Sequence, residues 1–310
     1  MLARRQRTRA SLLAALLLLA CAPALARTKA RHKPQPAKQR PKGALMWSDE
    51  FNGPDGSAPD PAKWTYDIGV DGNGWGNQEL EYYTQSTANV VVRGGNLVIT
   101  AVREKYSGPT AAPAGEPGAS PAAPVTVSRD YTSTRIKTEG LFAQAYGRIE
   151  ARIKIPRGQG MWPAFWMMGD DIEKVGWPKC GEIDIMENIG KEPSEVHGSL
   201  HGPGPGDSGT DDMTKAYTLP RGQRFADAFH VFAVEWDPRQ MRFYVDSHLY
   251  FTAEPREMPH GTGWVFNHPF FVILNLAVGG SWPGNPDSST EFPQQMLVDY
   301  VRVYGQAPAP

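Results

Sequence analysis

Apolar and polar residues alternate in short runs along most of the chain. Runs such as "GRIEARIKI", "HVFAVEW" and "FVILNLAV" are rich in Val, Ile and Phe, which favour strands whose side chains point to opposite faces in turn. Gly, Pro and Asp separate these runs, and such residues favour the turns between antiparallel strands. The turns are clearest at Asp237-Pro238 and Asp246-Ser247. Convincing amphipathic helices are absent, so the pattern predicts an all-β sandwich or barrel.

One run, "GEIDIMENIG", carries three acids: Glu182, Asp184 and Glu187. In a regular strand the first two share a face, whereas Glu187 would point to the other face with the isoleucines. An unpaired charge in the core costs several kcal/mol. Glu187 therefore lies either at the strand end or after a β-bulge near Ile185 and Met186, which would return it to the face of the other acids.

These acids could simply decorate a solvent-facing side, but like charges along one face of a strand are destabilising. Paired carboxylates are the groups that hydrolyse glycosides, because one attacks the anomeric carbon while the other protonates the leaving oxygen. Glu182 and Glu187 would stand about 13 Å apart at their Cα atoms. Their side chains must lean together to reach the roughly 5–5.5 Å between the carboxyl groups of retaining enzymes. Asp184 lies between them and is expected to fix the orientation and charge of the nucleophile.

The acidic run resembles the signature of glycoside hydrolase family 16. In that signature a Glu, an Asp two residues on and a final Glu act as nucleophile, assistant and acid/base. The extra residue before the last Glu, here Met186, is similar to the bulged form of the laminarinase-like members. Other blocks from about Met46 to Tyr304 resemble the family in order, including "NQELEYYT", "YTSTRIKT", "GMWPAFWMMG" and "ILNLAVGGSWPG". Thr134 and Ser247 depart from it, standing where the family often has Gly.

The resemblance implies a concanavalin A-like β-jelly-roll sandwich of two curved antiparallel sheets with a concave substrate cleft. It also implies retaining endo-hydrolysis of β-1,3-glucosidic bonds in β-glucans such as laminarin, with no cofactor for catalysis. One alternative is the same chemistry on mixed-linkage β-1,3-1,4-glucan or a galactan. Another is a β-glucan-binding module without turnover, although such proteins typically lack the two glutamates that this chain carries.

Several further residues are candidates for contact with sugar. Trp162 and Trp166 are four residues apart, so on a strand they share a face and offer flat apolar surfaces to sugar rings. Without the resemblance they would read as a buried aromatic pair. The resemblance adds three residues that could present polar groups to sugar hydroxyls: Arg135, Asn89 and Glu79. It also adds Trp282, a loop tryptophan that either forms a wall of a sugar subsite or packs against the protein. Arg135 could instead form a simple ion pair.

In "HGSLH" the residues His197 and His201 are four apart, a metal-ligand spacing on a helix. The Gly and Ser between them favour a strand, where His201 would bond substrate or support the acid/base. "DGNGWG" lacks the strand and helix of a nucleotide site and is expected to form a loop at the cleft rim.

The resemblance also implies one structural calcium on the convex side. Its ligands would be the backbone carbonyls of Glu50 and Gly95 and the carboxylate of Asp299, consistent with the preference of calcium for oxygen. Alternatively, Asp299 joins a surface ion-pair network.

Composition and charge restrict the number of domains and the classes of partner. The 310 residues carry a formal charge of -1 and are 40% hydrophobic, which fits one sizeable domain and offers no basic surface for nucleic acid. A monomer without a transmembrane span is expected. The two cysteines, Cys21 and Cys180, leave no internal disulfide once the first is removed or lipidated.

The N-terminus predicts export. Arginines, an apolar run and "ALA" give residues 1–26 the form of a signal peptide, for a secreted or periplasmic protein. "LLAC" also resembles a lipobox, which would instead anchor the protein through a lipid on Cys21. Residues 27–43 are basic and Pro-rich and predict a disordered linker. The catalytic domain then covers 44–306, with a flexible insertion at 107–125.

Overall fold

A computed structural model describes residues 43–111, 125–207, 209–259 and 263–306. The predicted signal peptide, Cys21 and residues 27–42 of the predicted linker lie outside these ranges. No helix within them has both the length and the apolar character needed to cross a bilayer.

The described residues are mainly β-strands. In chain order the strands are β1 Leu45–Asp49, β2 Thr65–Asp67, β3 Glu81–Tyr83, β4 Val90–Arg93, β5 Asn96–Ala101, β6 Tyr106–Pro109, β7 Thr126–Arg129, β8 Tyr131–Ser133, β9 Arg135–Lys137, β10 Gly147–Lys154, β11 Met161–Gly169, β12 Glu182–Glu187, β13 Glu195–Pro203, β14 Thr210–Thr218, β15 His230–Asp237, β16 Gln240–Val245, β17 His248–Ala253, β18 Phe270–Val278 and β19 Gln294–Tyr304. The predicted turns at Asp237-Pro238 and Asp246-Ser247 are confirmed, because they separate β15, β16 and β17.

Helical segments are short. They are α1 Ile172–Val175, a π-helical turn Gly74–Gln78, and 3-10 turns Pro205–Asp207, Pro220–Gly222, Phe225–Asp227 and Pro255–Glu257.

Two antiparallel sheets make up the sandwich. The back sheet has eight strands in the order β17-β16-β15-β10-β19-β5-β4, with β1 also paired to β19. The acidic sheet has seven, in the order β14-β13-β12-β11-β18-β9-β2, and contains the run with three acids on β12, next to its central strand. Two small pairs, β3-β8 and β6-β7, lie outside these sheets.

The main core fills the space between the sheets. Ile149 and Ile153 of β10 face it from the back sheet, and Phe165 and Leu274 face it from the acidic sheet, all with no exposed surface. The alternation along these strands thus separates a core face from an outer face. This arrangement confirms the predicted jelly-roll sandwich of two antiparallel sheets.

The predicted insertion at 107–125 is partly structured, which corrects its first residues. β6 pairs in antiparallel register with β7, from Tyr106 opposite Arg129 to Pro109 opposite Thr126. Residues 112–124 lie outside the described ranges. The chain therefore leaves and re-enters the domain through a two-stranded ribbon rather than through a loop alone.

The back sheet also buries an ion network. Arg148, only 4% exposed, places Nε 2.7 Å from Glu150 and Nη1 3.2 Å from Glu235. Arg242 approaches the other oxygen of Glu235 at 2.8 Å. Because each buried charge has a partner of opposite sign, the network avoids the cost of isolated charges.

Cys180 is a free cysteine buried next to the acidic strand. Its Sγ lies 3.5 Å from Met168 Sδ. Burial, aided by the charges of Glu182 and Asp171, raises the pKa of the thiol to about 12. Cys180 is therefore a protonated apolar packing residue.

Candidate active site

The acidic strand β12 contains the predicted bulge. Phe165 of β11 pairs with Met186, whereas the next residue of β11 pairs with Asp184. Ile185 is therefore the extra residue, and both it and Met186 are buried in the main core. Two consecutive inward side chains return Glu187 to the outer face, where its charge interacts with those of Glu182 and Asp184. The structure thus brings the three predicted catalytic residues together.

The strand begins abruptly because Gly181 has φ +74, a conformation that favours glycine. A Cβ at this position would lie 2.8 Å from Val265 and 3.0 Å from Phe270. Gly181 therefore allows the chain to turn in close packing just before Glu182.

His201 holds the middle acid. On β13 it pairs across the strand from Glu182, and its Nε2 lies 3.0 Å from Asp184 Oδ2. Its Nδ1 lies 2.8 Å from Oδ1 of Asp212 on β14. Although burial disfavours the charged ring, pairing with Asp184 and Asp212 raises the pKa of His201 to about 12. His201 is thus an imidazolium at neutral pH, and the prediction that it lies on a strand beside the acids is confirmed.

Two tryptophans donate to the two outer carboxyl groups. Trp162 Nε1 donates to Glu187 Oε1 at 3.0 Å. Trp177 Nε1 donates to Glu182 Oε2 at 2.6 Å, although its side chain is 50% exposed. Each indole N–H favours the ionised form of its partner and fixes its orientation.

The three acids cannot all ionise freely so close together. Burial and the charge of Asp184 raise the pKa of Glu182 to about 8, while His201 and the Trp177 N–H partly offset this rise. Burial and the charges of Asp184 and Glu182 raise the pKa of Glu187 well above its usual range. Burial and the neighbouring charges thus favour the protonated form of both glutamates, and Glu187 keeps a proton that it can donate.

Trp166, the second tryptophan predicted to contact sugar, stacks with Arg135, which also lies over the ring of Trp75. Arg135 of β9 places its guanidinium carbon 4.7 Å from the Trp166 ring centre and 5.0 Å from that of Trp75. Its Nε lies 2.8 Å from Asp67. The stack fixes three planar groups on the outer face beside the acids, consistent with the prediction that Trp166 and Arg135 contact sugar.

Trp282 lies at the other side of the acids and packs on residues that touch them. Its ring centre is 5.4 Å from that of Trp162 and 5.0 Å from that of His197. His197 pairs directly across from Glu187. Trp282 is therefore a partly buried wall of the site rather than a remote packing residue.

Asn89 does not reach the cleft. It is 1% exposed, and its amide donates to Thr100 O at 3.1 Å and to Thr132 Oγ1 at 2.9 Å. Its Oδ1 accepts from Thr84 at 2.5 Å. With these bonds made inside the protein, the prediction of direct sugar contact by Asn89 is wrong.

Glu79 is also internal. It is 7% exposed, and its Oε2 accepts a hydrogen bond from Tyr83 at 3.2 Å. Burial and the neighbouring Glu81 raise the pKa of Glu79 well above its usual range. The predicted sugar contact of Glu79 is therefore replaced by a buried carboxyl pair under the rim loop.

Sequence reasoning missed Trp177, Trp75 and Asp212 as parts of the site. Trp75 lies within the "DGNGWG" segment, which was predicted to line the rim, and an aromatic residue in a rim loop was the available signal. Trp177 and Asp212 are separated in sequence from the groups they bond and carry no periodic pattern.

The strand register sets the three residues predicted to bind calcium beside one gap along β19. β1 pairs along residues 301–304 of β19 and β5 pairs along 294–298, so Asp299 falls between the two pairings. Glu50 directly follows β1, and Gly95 directly precedes β5. Both backbones therefore border the gap that contains Asp299.

The side chains of two of these residues are engaged in ion pairs. Glu50 binds Arg302 through both oxygens at 2.9 and 2.7 Å, which leaves its backbone carbonyl as the predicted ligand. Asp299 lies 2.7 Å from Arg152, and both side chains are more than a third exposed. Such an exposed pair contributes little stability. Replacement of the Arg152 contact of Asp299 by a calcium ion would therefore lose little free energy.

Comparisons with known proteins agree with this geometry. The family model described as "Glycosyl hydrolases family 16" matches residues 77–302. A β-glucanase of Rhodothermus marinus is 40% identical over 281 residues, which cover 85% of this chain and 86% of the relative. The solved laminarinase catalytic domain of Thermotoga maritima is 45% identical, with a TM-score of 0.73 over 86% of this chain and 100% of the domain. The endo-β-1,3-glucanase of Pyrococcus furiosus is also 45% identical, with a TM-score of 0.72 over 86% of this chain and 95% of that chain.

Proposed function

The chain belongs to glycosyl hydrolase family 16, and from this premise we propose that it cleaves internal β-1,3-glucosidic bonds of β-glucans such as laminarin with retention. The observation that carries the proposal is the bulged strand, which gathers Glu182, Asp184 and Glu187 on the outer face of the acidic sheet. Relatives named as laminarinase and endo-β-1,3-glucanase support the choice of polymer.

In the first step Glu182 attacks the anomeric carbon while Glu187 donates its proton to the departing glycosidic oxygen. Glu182 takes the role of nucleophile from its place in the family signature, and His201 and Trp177 favour its anion. Glu187 is the acid because two neighbouring carboxyl groups and burial keep it protonated. The products of this step are a glycosyl-enzyme ester on Glu182 and a shortened glucan.

In the second step Glu187, now ionised, takes a proton from water, and the resulting hydroxyl attacks the anomeric carbon. The bond to Glu182 breaks, and its carboxylate is regenerated. Asp184, held by His201 at 3.0 Å, lies between the two glutamates on the strand and raises the pKa of both. This hydrolytic chemistry requires no cofactor.

The direct test is reducing-end release from a panel of polysaccharides, with anomeric NMR on the earliest laminarin products. We expect soluble oligosaccharides from laminarin that appear first as the β-anomer. Glu182→Gly should abolish release with the fold intact, whereas Glu173→Gln, an exposed glutamate of α1, should retain activity. Release by the Glu182 variant at the wild-type rate would refute the assignment.

The same panel separates the alternative substrates. Preference for mixed-linkage β-1,3-1,4-glucan over laminarin would change the proposed linkage, and release only from agar or carrageenan would reject the glucan class. Binding to laminarin without release would indicate a recognition module.

We also propose a structural calcium held by the carbonyls of Glu50 and Gly95 and the carboxylate of Asp299. The strand register, which sets these three residues beside one gap along β19, supports this site. EDTA should lower the melting temperature, calcium should restore it, and Asp299→Ala should remove the response. Equal melting of wild type and Asp299→Ala in EDTA and in calcium would contradict the site.

Export and a monomeric state complete the proposal. The signal-like residues 1–26 support export, and N-terminal analysis of the mature protein distinguishes cleavage after residue 26 from lipidation at Cys21. Light scattering of the purified chain tests whether it is a monomer.

A further inference from the structure

Two glutamates are buried side by side beneath the rim loop, on a different segment from the catalytic acids. Glu79 is 7% exposed and Glu81 has no exposed surface. Glu81 Oε2 accepts the Val278 N–H at 2.6 Å, whereas its Oε1 has no conventional partner among the described residues. Glu79 has an extended backbone and lies two residues before Glu81, the first residue of β3, so the two side chains share one face. Their carboxyl groups interact both by charge and by hydrogen bonding.

Contact between two carboxyl groups has a definite chemical requirement. An ionised carboxylate only accepts hydrogen bonds, so a bond between Glu79 and Glu81 needs a proton on one of them. Two ionised carboxylates in contact without water would repel each other and leave lone pairs unsatisfied.

The groups that face the pair do not supply enough positive charge to ionise both members. Arg135 from β9 is the cation that interacts with Glu79, and it already lies 2.8 Å from Asp67 of β2. Tyr83 of β3 is neutral, because burial and the two glutamates raise its pKa well above the usual range. From β18 the pair receives the neutral Val278 N–H.

Hydrogen bonds connect the pair to the floor of the cleft. Tyr83 donates to Glu79 at 3.2 Å and accepts from Asn275 Nδ2 at 3.0 Å. Asn275 Oδ1 in turn accepts from Trp166 Nε1 at 2.8 Å. The bonds run without interruption from the buried pair to a ring that stacks with Arg135.

Backbone bonds connect the pair to both aromatic loops. Leu80, which lies between the two glutamates, donates to Val278 O at 2.8 Å. Ser281 N donates to Asn77 O, also at 2.8 Å. The rim loop with Trp75 and the loop with Trp282 are therefore joined where the two carboxyl groups meet.

We propose that Glu79 and Glu81 share one proton and act as positioning residues, which hold the Trp75 and Trp282 loops at the spacing that glucan binding requires. The role in binding rests on the proposed function, whereas the shared proton does not. Loss of this proton places two negative charges in contact and loosens the joint between the loops.

The sign of the pH effect follows from linkage. The folded protein holds the proton more tightly than the unfolded chain, since burial raises the pKa of both carboxyl groups. The stabilisation is complete below the unfolded glutamate pKa of about 4.3 and is lost as the pH rises through the folded pKa. For one proton the unfolding equilibrium constant changes by up to about tenfold per pH unit in that window.

Glu81→Gln is the informative variant because its amide can donate to Glu79 permanently and its oxygen can still accept from Val278. We expect the wild type to lose stability relative to Glu81→Gln as urea unfolding is measured from about pH 5 to about pH 9. Glu79→Gln gives the second measurement, and Glu291→Gln, an exposed glutamate, should follow the wild type. Parallel stability curves for wild type and both pocket variants would overturn the shared proton.

Kinetics on laminarin test the positioning role. Glu81→Ala, which cannot bridge to Glu79, should raise KM about tenfold or more while kcat changes less than about threefold. In the wild type, KM should rise at alkaline pH as the shared proton is lost. Glu81→Gln should have the wild-type KM at neutral pH and should not show this rise. If the Ala variant has wild-type KM, or if Gln fails to restore it, the positioning role is wrong. If the wild type itself does not hydrolyse laminarin, the proposed function fails, and the urea curves still decide the shared proton.

Discussion

Replacement of Trp177 by Phe should move the acidic limb of the pH–rate profile to higher pH. The indole N–H of Trp177 donates to Glu182 Oε2 at 2.6 Å and lowers the pKa of that carboxyl group. Phe keeps an aromatic ring but cannot donate this bond. The anion of Glu182 then becomes less favourable, and a larger fraction of the enzyme lacks its nucleophile at neutral pH.

The magnitude follows from the strength of one charge-assisted hydrogen bond. Such bonds contribute about 1.5–3 kcal/mol, and the lower figure applies because Trp177 is 50% exposed and water screens the contact. Since about 1.36 kcal/mol corresponds to one pH unit, the pKa of Glu182 should rise by about one pH unit. Below the limb, kcat/KM should fall about tenfold, and well above it the loss should be small.

The assay is kcat/KM on laminarin across the pH range, because this ratio reports groups of the free enzyme. Trp47→Phe is the matched control, since Trp47 lies on β1 in the back sheet. A uniform loss of activity with an unmoved limb would show that Trp177 contributes only a stacking surface and would refute the hydrogen-bond argument.

Three further predictions concern the acid, the bulge and the buried ion network. Glu187→Gln should lower kcat on laminarin about 10²–10⁴-fold but slow the first step much less for an aryl glycoside with an acidic leaving group; equal losses would exclude an acid role. Deletion of Met186 should remove the extra residue and leave a regular strand, in which Glu187 stands four residues after Glu182 and still shares its face. This variant should therefore retain hydrolysis of laminarin, and a folded variant without hydrolysis would contradict this account of the bulge. Glu235→Ala should lower the free energy of unfolding in urea by about 3 kcal/mol, because it leaves Arg148 short of one buried partner. An unchanged urea midpoint would mean that the network adds no stability.

The catalytic strand could be predicted because two physical requirements conflicted in its sequence. A period of two placed Glu187 among core residues, and the cost of burying its charge required a shift of register. The structure meets that requirement with Ile185 as the additional residue. The turns at Asp237 and Asp246 were predictable for a similar reason, since local turn chemistry matched the strand pattern on both sides.

The direction of side chains outside regular strands was harder to predict. The hydrogen bonds of Asn89 and Glu79 turn both side chains into the protein interior. Trp177 reaches Glu182 from the segment between α1 and β12, where no periodicity fixes a facing direction. Such contacts depend on the packing of whole segments, which a one-dimensional pattern does not contain.

The buried thiol of Cys180 can report local opening of the protein, because a thiol reagent reacts with it only when it becomes exposed. A reagent that needs a thiolate on an accessible sulfur cannot react with a group that is fully enclosed and has a pKa near 12. Reaction at this position therefore requires the segment just before β12 to move away from Met168 of β11 and Ile172 of α1. In a Cys21→Ser chain, the modification rate would report how often this segment, which also carries Trp177, opens, and a bound oligosaccharide would slow that rate.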